Sequence, residues 1–391
     1  MFSTESAQAA IVDCVDPLSN SLKRSHNESS LETQTLPFQN NITRREVRNA
    51  FNGWTDALVD ISQTYKNDGF EAAKELTEAV IDGGYAYQIG PVAFKPTWAN
   101  GDQTFRTTRK GAVSYFVGGD EDYDDLGFAI GSAPDPVTGE RSAWKDSWFD
   151  LSVRRFDGET AIVQGLLYTE SEDGTVGYVD KTWGFQKDDL GNVRIVLHHS
   201  SSPYETVDEP KKIKNHTVNN RSFDIDNLIT KKEVLAAQEG WTDALVAISQ
   251  TYKDEGFDAA EELAGAVIDA AYGYQEGAVA FKPTWAYGDN TFRPTREGAV
   301  SYFVGGSDKY DDLGFAIGST PDENGDRSSW ANAWTENAVI RIDGDTATTM
   351  GWMYTEDEAG NVGYVDKTWT FQKGDDGVLR VVVHHSSKPY E

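Results

Sequence analysis

The chain has 391 residues, 38% of them hydrophobic, and carries a formal net charge of −29 at pH 7. That is length and apolar content enough for two cored domains. A surface this acidic repels phosphate backbones and anionic bilayers, which argues against nucleic acid or a membrane as partner. The single cysteine, Cys14, rules out an intramolecular disulfide and a thiolate metal cluster.

Residues 1–42 are polar, lack the apolar core of a signal peptide and carry Glu5, Asp13 and Asp16, unlike a transit peptide. They read as a disordered or extended tail without a targeting segment. A first domain is expected over 43–205. It opens with Val47, Phe51, Trp54, Leu58 and Ile61 at helical spacing, and Gly69 ends that helix. A second helix, "FEAAKELTEAVIDGGY", closes on glycines. Short β-rich runs are expected next, among them "PVAFKPTW", "GAVSYFVGG" and "GFAIG", then longer strands ending in "VRIVLHHSS". Helices followed by an antiparallel sheet give an α+β class. A curved sheet wrapped on a helix leaves a cone with a small-ligand pocket at one end. Residues 206–229 are polar and aperiodic and read as a linker. The second domain, 230–391, repeats the first: "GWTDAL" at Gly53 returns at Gly240, "FKPTW" returns with Thr97 matched by Thr284, and "HHSS" at His198 returns at His384.

Four of the six histidines lie in the two "HHSS" strand ends. Neighbouring strand residues face opposite ways. His198 therefore shares a face with Ser200, and His199 with Ser201; His384 and Ser386, and His385 and Ser387, divide alike. One His–Ser pair per domain can face a pocket. That is too few donors for a zinc site, which takes three protein ligands. A hard cation on Asp124 and Asp125 competes with a solvated turn, the reading preferred here. Residues i and i+2 lie roughly 6.5–7 Å apart, too far for a direct Ser–His proton exchange. Thr97 and Thr284, Tyr115 and Tyr302, and Arg106 and Arg293 recur in both copies, and uncharged hydroxyls around a histidine suit a small oxygen-rich ligand. Asp180 and Asp366 are the strand carboxylates that an isomerase or dehydratase would use as base.

The motifs "FKPT", "YFVGG", "GFAI" and the terminal "HHSS" followed by "PY" together resemble the iota-class carbonic anhydrases of algae and bacteria. The resemblance covers both domains nearly end to end. It implies two tandem cone-like domains of the nuclear-transport-factor, or SnoaL-like, type and reversible hydration of CO2 to bicarbonate. It also implies a metal-free pocket of Thr97, Tyr115, His198 and Ser200, with Thr284, Tyr302, His384 and Ser386 in the second copy. Trp98 or Trp183 would wall the CO2, and a histidine near its ordinary titration range would take or relay the proton. No cofactor is expected. Manganese or zinc is the alternative, weakened because Leu197 and Val383 stand where some relatives carry a third histidine. The resemblance favours a chloroplast setting and pairing of the domains within the chain or in a homodimer. The competing reading is a small-ligand isomerase or dehydratase, or a binding and assembly module, on the same fold.

Overall fold

The computed structural model describes residues 41–204, 216–219 and 228–390. The expected tail as far as residue 40, with Cys14, and most of the expected linker lie outside the described residues.

Each half begins with a helix hairpin. Helix α1 (Arg44–Asp68) starts at a capping box. The Glu46 amide donates to Thr43 Oγ1 at 3.3 Å, and the Thr43 amide donates to Glu46 Oε2 at 2.7 Å. The predicted stripe of Val47, Phe51, Trp54, Leu58 and Ile61 is the buried face. Gly69, at φ 86°, ends α1 and leads into α2 (Phe70–Gly84). The second half copies this with α4 (Lys231–Glu255) and α5 (Phe257–Ala271), capped by Thr230 and Glu233.

The intervening segment departs from expectation. "PVAFKPTW" yields only the short strand β1 (Ala93–Lys95), with Thr97 in the turn beyond it. "GAVSYFVGG" is helix α3 (Arg109–Val117), not a strand, and "GFAIG" is a 3-10 turn at Phe128–Ile130. Thr108 caps α3 by accepting from the Gly111 amide. Gly111 to Val117 are all buried, so the helix is apolar all round and shows no stripe to read in sequence.

The sheets carry the rest. Strands β2 (Trp144–Asp157), β3 (Thr160–Ser171), β4 (Val176–Lys187) and β5 (Val193–Ser201) form an antiparallel meander, and β1 adds parallel to β5. Strand β6 (His216–Asn219), from within the expected linker, adds parallel to β2 at the far edge. The second sheet is ordered β7 (Ala280–Lys282), β11 (Leu379–Ser387), β10 (Val362–Lys373), β9 (Thr346–Asp357), β8 (Trp330–Asp343), with α6 (Arg296–Val304) repeating α3. Strand β2 bulges between Leu151 and Val153 opposite Gly165. A Cβ there would run into the Asp150 carbonyl, so glycine lets the bent strand close up. The chain is thus two tandem α+β units, each with helices on one face of its sheet.

The other faces of the two sheets meet. Ala93, Val153, Ile162 and Leu197 share one buried cluster with Ala280, Val339, Met350 and Val383. The rings of His199 and His385 stack across this contact with centroids 3.7 Å apart. His199 Nε2 lies 3.0 Å from Asp366 Oδ1, and Nδ1 lies 2.8 Å from Thr368 Oγ1. With the carboxylate as acceptor, Nε2 carries the proton and Nδ1 accepts from Thr368. His385 meets Thr182 and Ser201 at 2.8 and 3.0 Å. Lys95 lies 3.4 Å from Asp366, and Lys282 lies 3.2 Å from Asp180, each pair crossing between units.

Candidate active site

Register decides what faces the helices. In the antiparallel pairing of β4 with β5, Lys181 lies opposite Ser200 and Trp183 opposite His198; β1 brings Phe94 beside His198. Residues paired in this way share a face. The helix-side face therefore collects His198, Ser200, Lys181, Trp183 and Phe94. Asp180, Thr182, His199 and Ser201 take the face toward the other unit. Asp180 and Asp366, nominated from sequence as possible bases, thus stand at the contact between units and not beside His198 or His384. Asp180 is pushed up by burial against the pull of Lys282, whereas Asp366 is pushed up by burial yet held down to about 2 by Lys95, His199 and Ser387.

The four residues singled out in the first unit gather in one buried cluster. Thr97 Oγ1 lies 2.6 Å from Ser200 Oγ. The Tyr115 hydroxyl sits beside the Thr97 side chain and the Trp98 backbone, with burial pushing it up and those contacts pulling it down. His198 does not touch Ser200, as the strand spacing required. What bridges them is Lys181, whose Nζ lies 2.8 Å from His198 Nε2 and 3.1 Å from Ser200 Oγ. On the other side of the ring, His198 Nδ1 lies 2.8 Å from the Tyr85 hydroxyl, which accepts from Trp54 Nε1 at 2.9 Å. Phe94 stacks on the imidazole at 4.5 Å, and Trp183 meets it edge-on at 5.5 Å. Trp98 packs against Phe128 instead.

The second unit repeats the arrangement except at the serine, where Ser386 donates to the Asp366 carbonyl at 3.2 Å. Lys367 Nζ lies 2.7 Å from His384 Nε2, Tyr272 OH lies 2.8 Å from Nδ1, and Trp241 donates to Tyr272 at 2.9 Å. Thr284 and Ser386 are 2.7 Å apart, Tyr302 adjoins Thr284, and Phe281 stacks on His384 at 4.4 Å. A small apolar cavity of about 10 Å³ shares the Trp54 and Tyr85 walls in one unit, and a twin shares Trp241 and Tyr272 in the other. Each is about the size of one water molecule.

Lys181 and Lys367 escaped the sequence reading. The signal was in "VDKTW": if Trp183 faces the core, alternation puts Lys181 there too. Among the described residues neither lysine forms an ion pair with a carboxylate. A buried ammonium without a counter-ion costs several kcal/mol. The faces of Trp54, at 4.9 Å, and Trp183, at 5.6 Å, return only about 2 kcal/mol. Burial therefore wins and holds Lys181 well below its usual range; Lys367 is pulled down by burial to about 7, opposed by Asp366. Burial also holds His198 well below its ordinary range, with Lys181 adding to it. The histidine is neutral at pH 7, so it is not a proton store titrating near 6.5.

The other candidates have structural partners. Arg106 pairs with Asp125 at 2.8 Å, and Asp125 also accepts from Ser114 at 2.6 Å; Arg293 and Asp312 copy this at 2.7 Å. Asp124 is exposed. Among the described residues no group of three or more His, Cys, Asp or Glu side chains converges to hold a metal, and no helix is long and apolar enough to cross a membrane.

A metal-independent carbonic anhydrase of Nostoc sp. strain PCC 7120 is 51% identical over 168 residues, covering 43% of this chain and 77% of that protein. A solved iota-carbonic anhydrase from a cyanobacterium, complexed with bicarbonate, is 51% identical and covers 42% of this chain and 95% of its own, with a TM-score of 0.39. A calcium/calmodulin-dependent protein kinase II association domain from Xanthomonas campestris is 18% identical, covers 47% of this chain and all of its own, and has a TM-score of 0.26. The family model described as metal-independent carbonic anhydrase matches twice, over residues 45–202 and 232–388. Matched in both halves and over most of its length, the chain belongs to the metal-independent carbonic anhydrase family.

Proposed function

We propose that each unit hydrates CO2 reversibly to bicarbonate and a proton without a metal, using Thr97, Tyr115, His198 and Ser200 in the first unit and Thr284, Tyr302, His384 and Ser386 in the second. The observation that carries this reading is the duplicated, carboxylate-free hydrogen-bonded cluster walled by aromatic rings. CO2 is apolar and uncharged and suits the aromatic walls of Phe94 and Trp183. Water attack on carbon forms the new C–O bond as a C=O electron pair moves onto a CO2 oxygen. Aimed hydroxyl donors stabilise the charge on that oxygen most in a site closed to water. The proton the water sheds leaves to solvent with the bicarbonate. Orientation of water and CO2 in one small space supplies the rest of the acceleration. The buried contact between the sheets supports pairing of the two units within one chain as the working assembly.

The test is the double variant Tyr115→Phe/Tyr302→Phe, which removes one hydroxyl from each site and little volume. CO2 hydration by stopped flow is expected to fall about 100-fold or more. Retention of wild-type turnover would remove these tyrosines from the reaction and, with them, the proposed pocket.

A further inference from the structure

The hydrogen bonds around His198 have a direction that can be worked out by counting protons. The chain starts at Trp54, whose indole nitrogen can only donate, and it donates to the Tyr85 oxygen. The Tyr85 hydroxyl still has its own proton to place, and the partner within reach is His198 Nδ1. Nδ1 is therefore the acceptor, and the neutral imidazole carries its proton on Nε2. Nε2–H points at Lys181 Nζ, 2.8 Å away. An ammonium has three donors and no acceptor, so it cannot receive that proton; an amine can. The amine in turn donates to Ser200 Oγ at 3.1 Å. Ser200 then passes its own proton to Thr97 Oγ1 at 2.6 Å, and Thr97 lies against the Tyr115 hydroxyl.

We propose that Lys181 and Lys367 rest as neutral amines that act as positioning residues, each accepting from its histidine, and that Lys181 completes a one-way chain of donors that aims the Thr97 and Tyr115 hydroxyls at the oxygen that gains charge. The proposal rests on the hydration reading above and deepens it. In the second unit Trp241, Tyr272, His384 and Lys367 repeat the same order up to the amine; beyond it Ser386 donates to the Asp366 carbonyl at 3.2 Å and accepts from Thr284 at 2.7 Å, so the chain ends at Lys367 there. A chain in which every member donates the same way polarises each successive bond, so its last hydroxyl is a stronger donor than an isolated one. Protonating the lysine breaks the chain, because Nζ loses its lone pair and two donors then face each other across the Nε2–Nζ contact.

The groups facing the first amine are Trp54 from α1, Phe128, Trp183 from β4, and His198 and Ser200 from β5. Trp241, Phe315, Trp369 and His384 stand in the same places around Lys367, whose nearest charge is Asp366 on the opposite face of its own strand. The sequence-adjacent aspartates point to the contact between units, so the pocket gives neither amine a carboxylate that would hold it protonated.

The direct test is nitrogen NMR of the full chain labelled with 15N at lysine Nζ. At pH 8.5 two lysines are expected at the neutral-amine position, one vanishing in Lys181→Met and the other in Lys367→Met. Finding both as ammonium at pH 8.5 overturns the proposal, and this readout on wild-type chain needs no variant to fold. The kinetic arm uses Lys181→Met/Lys367→Met, in which kcat for CO2 hydration is expected to fall at least about 30-fold with KM changed less than about twofold. Wild-type kcat in that variant also overturns it. A wild-type chain that hydrates no CO2 would instead sink the hydration reading, while the NMR result would still decide the state of the amines.

Discussion

Replacing Lys367 by Met removes a buried amine whose charging the fold opposes. Burial brings this lysine from an ordinary 10.5 to about 7, with Asp366 pulling the other way. At about 1.4 kcal/mol per pH unit, the folded state carries a penalty on the order of 4 kcal/mol at pH 7 and about 1 kcal/mol at pH 9.5. The sign follows from proton counting: between these values the unfolded chain binds more protons, so stability rises with pH. The penalty is full below the folded value and vanishes above the unfolded one. Met is similar in length and carries no charge, but it loses the 2.7 Å contact with His384 Nε2, worth about 1–3 kcal/mol. Lys367→Met is therefore expected to be about 1–3 kcal/mol more stable than wild type at pH 7, and that advantage should fall by about 3 kcal/mol by pH 9.5. Urea unfolding at a series of pH values measures it. Trp241 and Trp369, 5.0 and 5.4 Å from Nζ, report the second unit by fluorescence. A difference between the proteins that does not change with pH would refute the reasoning, because the lysine would then hold the same proton folded and unfolded.

Three further outcomes follow from the geometry. Asp180→Asn is expected to keep CO2 hydration within about twofold, since Asp180 faces Lys282 in the other unit; a loss comparable to that of Tyr115→Phe/Tyr302→Phe would return it to the reaction as a base. His199 is held down to about 4, burial outweighing the pull of Asp366. Below pH 6.5 the unfolded chain gains a proton that the folded chain refuses, so stability falls on acidification toward 4. His199→Gln should remove about 2 kcal/mol of the loss between pH 6.5 and 4.5, read from unfolding midpoints; an unchanged acid slope would contradict that assignment. Gly165→Ala drives a Cβ against the Asp150 carbonyl and to 2.9 Å from Leu151 Cα, so the bulge must shift at a cost of about 1–3 kcal/mol; a melting temperature equal to wild type would show that the bulge can relax freely.

Much of this was legible in the sequence. The duplication, the α1 stripe and the closing glycine at Gly69 needed only periodicity, and strand parity divided "HHSS" into two pairs. The structure adds what each pair does: His198 and Ser200 enter the cluster, while His199 stacks on His385 between the units. Other features depend on tertiary partners that spacing does not encode. Helix α3 carries Val113, Tyr115, Phe116 and Val117, all good strand formers, and is buried on every side, so neither propensity nor periodicity marked it as a helix. Asp180 was singled out in "VDKTW" as the strand carboxylate that an isomerase or dehydratase would use as base. Only the register of β4 against β5 shows that the lysine, not the aspartate, faces His198.

The central claim is catalysis without a metal, and the most direct measurement is stopped-flow CO2 hydration on chain exhaustively treated with chelator, with elemental analysis of the same sample. The account predicts that turnover in protein free of manganese and zinc equals that of the untreated chain, within about twofold. Loss of turnover after chelation, restored by adding manganese or zinc, would contradict it.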